Sequence, residues 1–239
     1  MGDLLDDLTN ERRITIVQIG ANDGSDAIGD LIRNRSDRIE KALLIEPQCS
    51  AFDRLVARIG DRSAVVCLNA AIDRQSGERT LYSVGPHSHK QLGDSIASFN
   101  RRHVEREICH ATKICSDSGM EALIASEKVR TVTLKEAAAA AGIGRPDVLV
   151  IDTEGFDAEI VRMALEAVWF PKVIQYEHKH LKRDDRFSLS ETLSRHGYYL
   201  WADHADVWGL RRHNGPAELR HTNWRGNAMN VRREDEANH

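Results

Sequence analysis

No apolar run in the 239 residues approaches the roughly 18 to 20 that a membrane-crossing helix needs. The opening "MGDLLDDLTNERR" is acidic and has no apolar signal core, so the expectation is a soluble, cytoplasmic protein with no membrane contact. Positive charge is in short supply too. With 33 basic against 37 acidic side chains the formal net charge is −4, which provides no sequence-independent attraction to nucleic acid. Cysteine is sparse, and Cys49, Cys67, Cys109 and Cys115 include no C-x-x-C pair. A chain of this length buries a core without disulfide staples, so all four are expected as reduced thiols. His103, Cys109, His110 and Cys115 match no common zinc spacing and are expected to be ordinary loop residues. No internal repeat or linker stands out, which leaves a single domain over 1–239.

What is present is an alternation of short apolar, β-branched runs with helical patterns. The runs are "RITIVQIG" (13–20), "KALLIEP" (41–47), "AVVCLNAAI" (64–72), "DVLVIDTEG" (147–155) and "KVIQYEH" (172–178). Each is nearly all apolar, as a strand covered on both faces must be, and the alternation predicts an α/β fold with a mainly parallel sheet and crossover helices. Phe52, Leu55, Val56 and Ile59 share one helix face, and Ile160, Val161, Ala164 and Leu165 share another. "TLKEAAAAAG" (133–142) is a strong helix former ending at a capping glycine. "GYYLWADHADVWGLRR" (197–212) predicts an antiparallel pair at a sheet edge. Residues 85–128 are polar and long for a loop, which suggests a lid or substrate-shaping insertion, and 211–239 form a polar tail.

Ligand chemistry concentrates at two strand tips. After the first strand, "GANDG" turns the chain, and Gly20 and Gly24 are expected to let a ligand approach backbone amides. Asn22 tolerates a left-handed turn position, and Ser25 is expected to cap the following helix. The second strand ends in Glu46 before Pro47, at the spacing of an acid that accepts hydrogen bonds from a ribose. Asp23 and Asp26 sit close behind the turn. They would repel a pyrophosphate and attract a sulfonium or ammonium, so the pattern suits S-adenosylmethionine better than a dinucleotide. The candidate cofactor contacts are Gly20, Ala21, Asn22, Asp23, Gly24 and Asp26 in the turn, Glu46 and Pro47 on the second strand, and Asn69 and Ala70 at the third strand's end. Asp152 belongs to the same set.

The fourth strand ends in Asp152 and Glu154 and the fifth in Glu177 and His178, so four ionisable groups are expected at one rim. Such a rim suits proton transfer from an acceptor, with His178 the first candidate base. A divalent metal there is the lesser reading, and no metal is expected. For Asp157 and Glu159 the simplest role is complementing a helix dipole, and for Glu177 a salt-bridge network with Lys179 and Lys182.

In order, "VQIGANDGSD", "LLIEPQCSAFDRL", "NAAID", "VRTVTL", "DVLVIDTEGFDAEIV", "VIQYEHKHL" and "LSRHGYYL" resemble the FkbM family of S-adenosylmethionine-dependent methyltransferases. The D-x-E-G-x-D/E segment at Asp152 carries most of the likeness. The resemblance implies a Rossmann-like class I methyltransferase. Its seven-stranded sheet would have the order 3-2-1-4-5-7-6, with an antiparallel seventh strand and helices on both faces. It also implies methyl transfer to a hydroxyl of a sugar, glycan or polyketide-type product, hence a small-molecule or carbohydrate acceptor as partner. Gly20, Asn22 and Gly24 would line the methionine part of the cofactor, Glu46 would hold the ribose, and Asp152 with Glu154 would border cofactor and acceptor. Gln18 stands where many members have Asp, which moves the ammonium contact to Asp23, Asp26, Asp152 or a backbone carbonyl. A nicotinamide-dependent oxidoreductase and a non-catalytic cofactor-binding protein are the rival readings.

Overall fold

A computed structural model of the chain describes residues 5, 8–10, 12–85 and 96–211. Its centre is a seven-stranded sheet made of β1 (Ile14–Ile19), β2 (Ile39–Ile45), β3 (Val65–Leu68), β8 (Val148–Ile151), β9 (Val173–Glu177), β10 (Tyr198–Asp203) and β11 (Asp206–Arg211). The spatial order is β10-β11-β9-β8-β1-β2-β3. Only β11 runs against its neighbours, pairing antiparallel with both β10 and β9. Counting these strands alone along the chain gives 3-2-1-4-5-7-6, the implied order. The remaining strands, β4 (Ala71–Ile72), β5 (Gly77–Val84), β6 (Ala97–Ser98) and β7 (Ile124–Val132), form a second sheet in the order β4-β7-β5-β6.

Strand alternation divides the core in two. Ile14, Ile16, Ala42, Leu44, Val148 and Val150 face one side, where α1 (Ala27–Asn34) and α2 (Cys49–Ile59) bury Ile28, Ile32, Leu55 and Ile59. Val17, Ile19, Leu43, Ile45, Leu149 and Ile151 face the other. There α5 (Leu134–Ala141), α6 (Asp157–Glu166) and α7 (Arg183–Arg195) cover them. Two covered faces explain why these strands lack polar alternation. Gln18 is a buried polar residue among them, 2% exposed, its amide donating to Asp26. No helix among the described residues is long and apolar enough to cross a membrane.

Several expectations need correction. Asp26, not Ser25, caps α1, because its carboxylate reaches the Gly29 amide at 2.8 Å. Val56 is 44% exposed and does not join Leu55 and Ile59 in the core. The run 64–72 is two strands: the chain leaves the main sheet after Leu68 and joins the second at Ala71. The described part of the stretch 85–128, expected as a lid or substrate-shaping insertion, contains β6, α3 (Arg101–Thr112), α4 (Asp117–Glu121) and most of β7. Residues 86–95 of that stretch and 212–239 of the polar tail lie outside the described residues. Cys109 and Cys115 are joined in a disulfide, contrary to the expected thiols, while Cys49 and Cys67 are free. The left-handed Lys113 ends α3 and turns the chain back, bringing the two Cα atoms to 5.0 Å.

Thr133 and Glu136 form a complete capping box at the start of α5, and Gly142 closes it in the left-handed conformation as expected. A tighter constraint sits at Gly20, which has φ +83° and whose missing Cβ would lie 1.7 Å from the Asp152 carbonyl oxygen. The tips of β1 and β8 therefore touch backbone to backbone. Gly20→Ala is expected to lower unfolding stability by more than about 3 kcal/mol. Gly144→Ala, where nothing lies within 4 Å, should change it by less than about 0.5 kcal/mol; urea denaturation compares the two.

Candidate functional site

A cleft of about 740 Å³, measured out to its open mouth, lies at the carboxyl ends of β1, β2 and β8. Gly20 and Asn22 form its floor beside Glu46, Pro47 and Gln48. Ala70, Ala71, Ile72 and Leu81 give an apolar wall, and Ala97, Ser98, Phe99 and Phe156 close the opposite side. Asp152, Thr153 and Glu154 stand at the rim. Neither lysine nor arginine is among the described residues that line it.

The turn after β1 is held by its own amides. Gly20 and Ala21 donate to the Ile45 carbonyl at 2.9 and 3.0 Å, Gly24 to Ala21 at 3.0 Å, Asn22 to Glu46 at 2.8 Å and Ser25 to Asp23 at 3.0 Å. Asn22 takes the left-handed conformation expected of it, with φ 45°. The amides of Gly20, Ala21, Asn22, Gly24 and Ser25 are therefore committed within the protein, and the glycines serve packing: Gly20 clears Asp152, and a Cβ on Gly24 would lie 2.7 Å from Leu55. Ala21 is buried in the core. Asp23 turns away to α2, where Arg58 meets its carboxylate at 2.8 Å; the Ser25 hydrogen bond, followed by Arg58, holds its pKa below the usual range. Asp26 is occupied as the cap of α1. Asn69 supports the cleft from behind, its amide donating to the carbonyls of Glu46 and Pro47 at 2.9 and 3.1 Å. Of the predicted cofactor residues, Gly20, Asn22, Glu46, Pro47, Ala70 and Asp152 line the cleft. Ala21, Asp23, Gly24, Asp26 and Asn69 frame it.

Glu46 is 5% exposed, with one oxygen accepting from Asn22 and the other from Gln48 at 2.9 Å. Burial pushes its pKa up to about 7 against the pull of those two amides. A folded value above the unfolded one means that its contribution to stability is present in acid and lost as pH rises through about 7. Each oxygen keeps a lone pair for a donor from the cleft.

At the rim the structure gathers Asp152, Glu154 and Glu177, as expected, but His180 and His103 take the place of His178. One oxygen of Glu154 lies 3.1 Å from Nε2 of His180 and 3.2 Å from Nε2 of His103. His180 Nε2 is also 3.5 Å from Glu177. Arg106 donates to Nδ1 of His103 at 3.2 Å, and since arginine cannot accept, the His103 proton is on Nε2, facing Glu154. Burial alone would raise Glu154, yet the hydrogen bonds from both imidazoles hold it down at about 2. That same Glu154 contact raises His180. Burial, then the charge of Glu154, pushes Glu177 up to about 8. Asp152 is open to solvent on its cleft side, but the surrounding walls, then Glu154, Asp157 and Asp206, raise it as well. Lys179 faces Glu107 at 3.9 Å, so the expected salt bridge to Glu177 gives way to one with α3.

His178 misses the rim because it extends the β9 ladder. Its amide donates to Ala205 at 2.8 Å and its ring meets the His204 carbonyl at 3.2 Å. Neighbouring residues of a strand face opposite ways, so Glu177 and His178 diverge, and the turn returns His180 to the side of Glu177. The two histidines of "EHKH" carried that ambiguity. His103 belongs to "SIASFNRRH", where no periodicity singled it out.

Asp157 organises this rim. Wholly buried at the start of α6, it accepts from Thr153 Oγ1 at 2.9 Å, the Gly155 amide at 3.2 Å and the Glu177 amide at 3.2 Å. Burial raises its pKa to about 6 against those three donors. Between them Glu154 takes φ 52° and Gly155 φ 103°. A left-handed glutamate costs on the order of 1 kcal/mol or more, so its surroundings must enforce it. Besides Asp157, Ser98 Oγ donates to the Glu154 carbonyl at 2.9 Å.

The Methyltransferase FkbM domain matches this chain over residues 18–214, and the chain belongs to that family. Among solved structures it is similar to the methyltransferase FkbM from Methylobacillus flagellatus KT, with a TM-score of 0.51 and 14% identity, over 83% of this chain and 43% of that one. It thus spans less than half the length of that protein. The fibrillarin pre-rRNA processing protein of Methanococcus jannaschii aligns at a TM-score of 0.40 and 11% identity, over 84% of this chain and 67% of that one. No curated protein matches the chain. The fold is that of the Rossmann-like class I methyltransferases.

Asp157→Ala would strand three donors and release the Glu154 backbone. Urea denaturation is expected to show a loss of about 3 kcal/mol or more, and Asp157→Asn, which keeps one acceptor oxygen, a smaller one.

Proposed function

We propose that this family member is an S-adenosylmethionine-dependent O-methyltransferase acting on a hydroxyl of a sugar, glycan or polyketide-type product. The observation that carries the reading is the charge of the cleft: a buried carboxylate at its floor, two more at its rim, and no cation among the described lining residues. Such a lining attracts a sulfonium and an ammonium and disfavours phosphates. The committed turn amides point the same way, since a nicotinamide dinucleotide needs free amides for its pyrophosphate.

Glu46 would hold the ribose, using the lone pair each oxygen retains. Ala70, Ala71, Ile72 and Leu81 offer the adenine an apolar wall. Gly20 and Asn22 would border the methionine part. When bound, S-adenosylmethionine supplies a methyl group on a sulfonium that leaves as a neutral thioether. The chain contributes alignment and a proton acceptor at the rim. Asp152, which both lines the cleft and reaches solvent, would take the hydroxyl proton of the acceptor. Phe99 and Phe156, edge to face at 6.0 Å, shape the acceptor side.

Asp152→Ala is expected to cut S-adenosylhomocysteine release by about 10²- to 10⁴-fold across a panel of sugar and polyketide-type alcohols; undiminished turnover overturns the role. A second expectation concerns pH. Ribose hydroxyls donate to the ionised form of Glu46, so S-adenosylhomocysteine affinity should rise about tenfold from pH 6 to pH 8 and level off above the Glu46 pKa. Glu46→Gln should flatten that profile in calorimetry and weaken binding at pH 8 by about 1.5 to 3 kcal/mol.

A further inference from the structure

We infer that His103 is a positioning residue for the proposed methyl transfer, acting through Glu154: it holds that carboxylate in its ionised form beside Asp152, so that Asp152 is the member of the pair that receives the acceptor's proton. The role in transfer rests on the reading given above; the coupling of His103 to Glu154 does not.

His103 comes from the first turn of α3, and its side chain is only 4% exposed. Both ring nitrogens are engaged. Nε2 lies 3.2 Å from Oε2 of Glu154, and Arg106 donates to Nδ1 at 3.2 Å. An arginine N–H at Nδ1 leaves the ring proton on Nε2, so the contact with Glu154 is a donated hydrogen bond. The ring packs edge to face on His180 with centroids 4.3 Å apart, and His180 places its own Nε2 3.1 Å from the same Glu154 oxygen. Ser98, shortly before His103 in the chain, donates to the Glu154 carbonyl at 2.9 Å. One short stretch therefore grips Glu154 at its backbone and at its carboxylate. A histidine kept for packing alone would need neither the arginine behind it nor the carboxylate in front.

Asp152 and Glu154 bring oxygens within 4.8 Å of each other, with one of Glu177 equally near. Carboxylates so close compete for a proton, and the one that accepts hydrogen bonds from donors keeps its charge. Glu154 takes two such bonds, from His103 and His180, and they outweigh its burial. Asp152 faces Glu154 in its own turn, Asp157 on α6, Glu177 at the end of β9 with His180 beyond it, and Asp206 on β11. Burial and then the negative neighbours raise its proton affinity, while His180 pulls the other way. Glu154 thus remains an anion, and its charge makes Asp152 the better proton acceptor. Without His103, the two carboxyls draw closer in affinity and share the proton.

The test is nuclear magnetic resonance of the full chain carrying ¹³C at its aspartate and glutamate carboxyls, with Asp152 and Glu154 assigned by their loss in Asp152→Asn and Glu154→Gln. In the wild-type chain Asp152 is expected to take its proton about two pH units or more above Glu154. His103→Leu should raise Glu154 by about one unit or more, whereas His103→Gln, whose amide donates from nearly the same point as Nε2, should keep most of the wild-type gap. Circular dichroism checks the fold of both. A ¹⁵N spectrum of the wild-type chain should show the His103 proton on Nε2, and the opposite tautomer overturns the role without any variant. So does Glu154 protonating at or above the pH of Asp152, Glu154 unmoved in His103→Leu, or the Leu and Gln variants titrating alike. Calorimetry with S-adenosylhomocysteine separates this role from the reaction it serves. A wild-type chain that shows the expected titrations but does not bind that product keeps the His103–Glu154 coupling and defeats the methyl-transfer reading instead.

Discussion

One buried carboxylate sets the geometry on which the rim depends. Asp157 takes hydrogen bonds from a side chain and an amide of the β8 turn and from an amide of β9, so it joins two neighbouring strand tips that the sheet ladder itself no longer holds. In the turn between those donors Glu154 adopts the left-handed conformation. That places its carboxylate against two imidazoles and beside Glu177. A helix-dipole partner at the same place would be served by any acid in the first turn; the three directed bonds are what a dipole argument does not require.

The cleft is the second consequence of strand tips brought close. Gly20 lets β1 and β8 meet at van der Waals limits, and the β1 turn then spends its amides on Ile45, Glu46 and itself. Anion-binding turns in other nucleotide sites leave those donors free. Here the cleft presents acceptors and apolar surface in their place, so selectivity for ligand charge is built into how the backbone is satisfied and not only into side-chain signs.

The fold was legible because burial on both faces writes itself into a strand as an unbroken apolar run, and five of the seven main strands announced themselves that way. The β10–β11 pair showed through its turn. Glu46, Asp152 and Glu154 were legible because they follow the carboxyl ends of β2 and β8 within three residues, where side chains border the crevice of a parallel sheet. The failures share a different cause. Asp23, Asp26 and Asn69 sit in the right loops but spend their polar groups on the protein, a choice made by Arg58, Gln18 and the Glu46 carbonyl at separations of 35, 8 and 23 residues. His178 and His180 were exchanged because only the pairing of β9 with β11 decides where the strand ends. The disulfide depended on a left-handed residue at 113 that no local pattern marks.

The cleft's outer wall comes from one uninterrupted stretch. The chain departs from the main sheet at Asn69 and returns to it after Val132, and parallel pairing sets Ala71 against Thr131 and Ile72 against Val132. Both ends of some sixty residues are thus pinned side by side, a closure whose entropy changes only slowly with the length between them. A change of length between those ends would cost little in closure entropy, and the floor at the tips of β1 and β2 is held by hydrogen bonds of its own.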